Sequence, residues 1–117
     1  MTSDFDPAQG IELTVEQVSE LAPKIESGTW RLIDCREADE WAINRLPNAR
    51  HIALSDFRPG AEAAAADGIP CIVYCHHGMR SLRAAAFLRS LGLDQAWSMS
   101  GGIDLWSDRI DPQVPKY

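Results

Sequence analysis

Residues 71–81 read Cys-Ile-Val-Tyr-Cys-His-His-Gly-Met-Arg-Ser, and they restrict the possible folds more than any other stretch of the chain. Cys71 to Tyr74 are apolar without alternation, as expected for a strand covered on both faces. Gly78 then breaks the run. From Ser81 the spacing of Ala84, Phe87, Leu88 and Leu91 predicts a helix with one apolar stripe, closed by Gly92. A buried strand feeding a helix through a short loop is the unit of a parallel α/β sheet. Cys75 falls on that loop. Backbone N–H groups at a helix start point outward and favour negative charge, so a cysteine there is placed to ionise and act as a nucleophile.

The rest of the chain repeats the alternation. Residues 11–14 suggest a short edge strand, and Thr14 to Gln17 form a capping box that opens a helix to about Ser27, ended by Gly28. Trp30 to Cys35 reads as a strand, Ala38 to Asn44 as a short helix, and Ala49 to Leu54 as a brief strand. Ser55 to Asp67 is an alanine-rich helix. Gln95 to Met99 is a last strand, and Gly101-Gly102 turns into a final helix carrying Ile103, Leu105 and Trp106. The expected fold is therefore α/β, with about five mostly parallel strands flanked by helices. In such sheets ligands bind at the carboxyl ends of strands, where both Cys75 and Asp34-Cys35 fall.

Composition sets the outer limits. The 117 residues suit one domain, with residues 1–10 a loose tail, 11–110 the folded unit and 111–117 an irregular tail. No apolar stretch approaches the ~18 residues of a membrane span, and no charged-then-apolar leader opens the chain, which points to the cytoplasm. Cys35, Cys71 and Cys75 are an odd number. Cys71 and Cys75, four apart on a strand, would lie ~13 Å from each other, too far for a disulfide or a shared metal. The net charge of −6 argues against nucleic acid and anionic membranes.

The charge is uneven, however. Residues 1–67 hold 13 of the 17 acids, and none lies between Asp67 and Asp94. That gap holds Arg80, Arg83 and Arg89 with His76 and His77, a positive island around Cys75. Arg83 and Arg89 read as the wet face of the helix, whereas Arg80, expected just before the helix, reads as an anion ligand.

Three segments together make the chain resemble a single-domain rhodanese: Leu32 to Glu37 with Glu40-Trp41, the Cys75–Ser81 loop, and Gly101 to Trp106. The resemblance covers roughly residues 11–110 and implies a three-layer sandwich and a sulfurtransferase. It implies that Cys75 carries a sulfane sulfur as a persulfide. The family loop reads Cys-x-x-Gly-x-Arg-Ser/Thr, and Gly78, Arg80 and Ser81 match it. His76, His77, Gly78, Met79, Arg80 and Ser81 are then the substrate-binding residues, with no metal and no organic cofactor required. The partners implied are a small anionic sulfur donor and a thiol or protein acceptor. One departure stands at Asn44-Arg45-Leu46-Pro47-Asn48-Ala49, where rhodaneses read Gly-His-Ile-Pro-Gly-Ala.

Alternatives differ in chemistry. The end of the chain, Gly102 to Tyr117, resembles rhodanese domains fused to adenylyltransferases, which implies a sulfur-relay module. A phosphatase or arsenate reductase is disfavoured, because those related loops place five residues between cysteine and arginine and this one places four. Among single residues, Asp34 and Arg36 read as a structural ion pair and Cys35 as a small core residue, with a resolving thiol near Cys75 as its alternative. Ser81 reads equally as a helix N-cap or a sulfur contact. Adjacent histidines on a loop diverge, so at most one is expected to face the substrate. The four tryptophans read as core and staples. Size and acidity suit a monomer, with a sheet-edge dimer as the alternative.

Overall fold

The computed structural model describes residues 5–117. Residues 1–4 of the expected loose tail lie outside the described residues. Five strands form one sheet in the order β1-β5-β4-β2-β3: β1 Glu12–Leu13, β2 Arg31–Asp34, β3 Ala49–His51, β4 Cys71–Tyr74 and β5 Ala96–Met99. Every pairing is parallel. The fully apolar strand β4 takes the centre, all four of its residues buried.

Side-chain alternation along β4 makes the three layers. Ile72 and Tyr74 face a core with Leu13, Val18, Leu32, Trp97 and Ile103. Cys71, Val73 and Cys75 face the opposite core with Ile33, Cys35, Ala61, Ala84 and Leu88. Helices α1 (Val15–Glu20), α2 (Ala22–Ser27) and α6 (Gly102–Arg109) belong with the first layer. Helices α4 (Phe57–Asp67) and α5 (Met79–Ser90) cover the second, while α3 (Ala38–Ile43) lies between β2 and β3 in sequence. Cys71 of β4, Cys75 just beyond its end, and Cys35 thus share one face. No helix among the described residues is long and apolar enough to cross a membrane.

Several boundaries move from their expected places for local reasons. The first helix breaks at Leu21 into α1 and α2, because Pro23 supplies no N–H for a continuous helix. Its capping box, Thr14 with Gln17, and its left-handed Gly28 end stand as read. Strand β3 stops at His51, and a 3-10 turn (Leu54–Asp56) leads into α4. The turn before β3 puts Asn48 at φ +64, where the family pattern has glycine; asparagine is among the few residues that tolerate it.

Two further expectations fail on packing. From Phe5 onward the chain is fastened: the Phe5 ring packs edge-on against Trp30 and Trp97, and Gln95 Nε2 donates to its carbonyl. Arg89 is not on a wet face. Its Nε donates to Ala96 O, its Nη1 to Pro7 O, and its guanidinium lies 4.7 Å from the Trp97 ring centre. Arg83 is exposed, as expected.

Candidate active site

The site sits where β4 ends and α5 begins. Gly78 caps α5 with φ +107, a left-handed conformation that costs glycine little and turns the chain sharply over the cysteine. Gly78 N then lies 3.1 Å from Cys75 Sγ and Ser81 N 3.4 Å, both donating to it. The Ser81 hydroxyl stands 3.5 Å from the same sulfur and is held by Ser98 Oγ at 2.7 Å. Ser81 is therefore a sulfur contact; Gly78 occupies the cap position. Helix α5 starts at Met79, so Arg80 lies inside its first turn and not before it.

Cys35 completes the sulfur's surroundings. Strands β2 and β4 run in register from Arg31 with Cys71 to Asp34 with Tyr74, which carries Cys35 beside Cys75 on the same face. The Cys35 thiol lies in the same core beside Cys75, and its hydrogen-bonding influence does most to lower the Cys75 pKa. Burial opposes it, but the Ser81 and Gly78 donors add to it, and Cys75 falls to about 4. Cys35 moves the other way, well above the usual thiol range, through that same influence and through burial. One thiolate and one thiol therefore share the site at neutral pH. Cys35 is buried, as its core reading expects, but it also lies beside Cys75, where its role is that of a donor.

The other side of the loop is built on α6. Ile103 N donates to Cys75 O at 2.9 Å and Asp104 N to His76 O at 3.1 Å. These carbonyls fit against the helix start only because Gly102 has no side chain; a Cβ there would sit on the backbone oxygens of Cys75 and His76. The Gly101-Gly102 doublet is thus more than a turn. It is the support on which the Cys75 loop rests.

Arg80 does not point a free fork at the sulfur. Its Nη1 and Nη2 donate to Glu40 Oε1 at 2.7 Å and Oε2 at 2.9 Å. Glu40 also accepts from the Tyr117 hydroxyl at 2.8 Å. The Arg80 bonds above all, with that of Tyr117 behind them, bring the Glu40 carboxyl down to about 2. Below them Asp34 and Arg36 form the expected ion pair, 2.6 Å apart and fully buried. Arg36 further donates to Asn44 Oδ1, to Asn44 O and to the Tyr117 hydroxyl. Removing one member of such a buried pair costs about 3–5 kcal/mol, because the other charge is left without a partner.

His76 and His77 do not diverge as expected; their rings stack 3.9 Å apart. Tyr117 stacks on His76 at 4.0 Å, so the irregular end of the chain is docked at the site. Met79, expected among the substrate-binding residues, is 73% exposed. Trp30 and Trp97 are core residues, and Trp41 is clamped between His51 and Arg45. Glu40, Ser98, Gly102 and Tyr117 were not singled out by sequence. Glu40 and Gly102 lay within the diagnostic segments, whereas nothing in the sequence marks Ser98 or Tyr117 as facing Cys75.

This arrangement defines a parallel α/β domain that keeps an ionised cysteine at the carboxyl edge of its sheet, held by helix N–H groups. The rhodanese-like domain family matches residues 17–109, and the chain belongs to that family. The thiosulfate sulfurtransferase GlpE of Pseudomonas fluorescens is 35% identical over 78 residues, 64% of this chain and 68% of that protein. That of Pseudomonas aeruginosa is 33% identical over 94 residues, 78% of each chain. Among solved structures, a rhodanese-related protein from Thermoplasma volcanium superposes with a TM-score of 0.75 at 26% identity, covering 92% of this chain and all of that one. The family is that of rhodanese-like sulfurtransferases, and the three-layer parallel α/β fold is theirs.

Proposed function

We propose that the protein is a persulfide-forming sulfurtransferase acting on thiosulfate or another sulfane-sulfur donor. The observation that carries this reading is the Cys75 sulfur, buried yet met by Gly78 N, Ser81 N and the Cys35 thiol, and so held as a thiolate. In the first half-reaction Cys75 Sγ attacks the outer sulfur of thiosulfate. A new S–S bond forms, the S–S bond of thiosulfate breaks, and sulfite leaves with its electron pair. The persulfide anion on Cys75 takes up the N–H groups that held the thiolate. In the second half-reaction a thiolate, or cyanide, attacks the outer sulfur and Cys75 leaves as the thiolate. Each half-reaction is a displacement at sulfur, and neither needs an outside oxidant. The names of the Pseudomonas relatives support this reading.

The test is sulfite and thiocyanate release from thiosulfate and cyanide by the wild type and by Cys75→Ser, with mass spectrometry for one added sulfur after the first half-reaction. Loss of both signals in the variant is the expected result. Undiminished turnover would sink the proposal.

A second reading, relay to an acceptor protein, is favoured by one observation. The Arg80 fork is closed on Glu40, so a small dianion must compete with a carboxylate for it. A relay enzyme would then show a high KM for thiosulfate and efficient transfer to one cognate acceptor. Equal rates toward small thiols and all acceptor proteins would count against it.

A further inference from the structure

The loop that turns Cys75 inward carries a second cluster on its outer side. The stacked rings of His76 and His77 both aim Nε2 at the Asp104 carboxylate, 4.0 Å from Oδ1 and 3.9 Å from Oδ2. Those gaps are too wide for hydrogen bonds. They come close to what a shared ion requires, since two ligand bonds of ~2.0–2.1 Å at a tetrahedral angle place the ligand atoms ~3.4 Å apart. All three ligand atoms already lie within 4.8 Å of one another. The His77 side chain is 64% exposed and free to rotate inward by the difference.

Four features of the surroundings point the same way. His76 Nε2 is buried and, among the described residues, bonds to nothing, which is unusual for a ring nitrogen. Its ring is fixed from both sides, by His77 at 3.9 Å and by Tyr117 at 4.0 Å. Asp104 is tied to the same loop through its backbone N–H on His76 O. Finally, the Lys116 ammonium lies 3.4 Å from Asp104 Oδ1 and 2.7 Å from Asp108 Oδ1, so a positive charge already rests at the carboxylate.

We propose that His76 Nε2, His77 Nε2 and the Asp104 carboxylate form a site for a divalent transition-metal ion of the zinc class, with Lys116 as the cation it displaces. Two imidazoles select such an ion over magnesium or calcium, which take oxygen ligands throughout. Three protein ligands leave a fourth position for water. The sulfur chemistry of Cys75 requires no metal, so this ion sits on the rim of the loop and the proposal does not depend on the sulfurtransferase reading.

Zinc alone, titrated against a chromophoric chelator, tests it. The wild type should bind one equivalent in the micromolar range or tighter. His77→Ala should weaken binding about tenfold or more. Lys116→Ala should tighten it about two- to fivefold, the factor a surface charge pair is worth. Cys75→Ser should leave it unchanged, and the cobalt(II) form should lack a thiolate charge-transfer band. No binding by the wild type, binding that survives His77→Ala, binding no tighter in Lys116→Ala, or binding lost in Cys75→Ser would each overturn the assignment.

Discussion

Strand β4 opens on one cysteine, Cys71, and is followed directly by another, Cys75, under opposite conditions. Cys71 and Cys75 face one core, 0% and 1% exposed, so burial does not distinguish them. What differs is the direction of their hydrogen bonds. Cys71 Sγ donates to the Ile69 carbonyl at 3.3 Å, and its burial raises the thiol to about 11. Cys75 Sγ accepts from the Gly78 and Ser81 N–H groups, the neighbouring Cys35 thiol adds the largest lowering influence, and Cys75 falls to about 4. A parallel strand presents its carboxyl end to the amino end of the next helix, so backbone donors reach Cys75 and not Cys71, and together with the Cys35 thiol they decide which cysteine ionises.

The largest expected effect breaks the pair at its active end. Cys75→Ser should cut sulfur transfer by about a thousandfold or more, the scale of losing a covalent nucleophile, as measured by thiocyanate release. Almost as severe should be Gly102→Ala. Gly102 has φ +64, and the new methyl group would press on the carbonyls of Cys75 and His76. The loop must then lift off α6, at a cost of about 2–4 kcal/mol in strain and lost packing. Denaturant unfolding should read that loss, together with slower alkylation of Cys75 as its donors move. A fully stable Gly102→Ala protein would show that the loop does not rest on α6.

Cys35→Ala sharpens the comparison without moving backbone. The thiolate is the reactive form, so alkylation of Cys75 should stay level from neutral pH down to about 5 and fall as the pH drops through about 4. Removing the Cys35 donor takes away the largest stabilisation of that anion. The folded pKa of Cys75 then rises, and the whole profile should shift to higher pH. Rates of iodoacetamide alkylation across pH 3 to 9 read this directly. An unmoved profile would mean that the backbone N–H groups alone hold the charge.

Most of this contrast was legible in the sequence, and what was not has physical causes. The unbroken apolar run of Cys71 to Tyr74, the glycine at 78 and the stripe beginning at Ala84 place Cys75 between strand and helix without any structure. Helix ends were less certain where proline or loop geometry intervenes, as at Pro23 and at Met79. The partners of Arg80 were not readable, because Glu40 lies 40 positions away and meets it only through the sheet order β4-β2. The same holds for Tyr117, which reaches Arg36 and Glu40 from the far end of the chain. Local pattern fixes which element a residue belongs to; long-range ion pairs depend on how elements stack.

The smallest expected effect is the control at the opposite end of the strand. Cys71→Ala deletes a buried sulfur and its single bond to Ile69 O, leaving a small void against α4 and α5. That should cost about 1 kcal/mol, seen as a lower midpoint in urea with the slope unchanged. Because the Cys71 thiol stays protonated at neutral pH and points into the core, its loss should leave both the rate and the pH profile of Cys75 alkylation where they were. A shift in that profile would mean that charge at one end of β4 is felt at the other. The two cysteines would then have to be treated as one titrating pair and not as independent groups set by strand polarity.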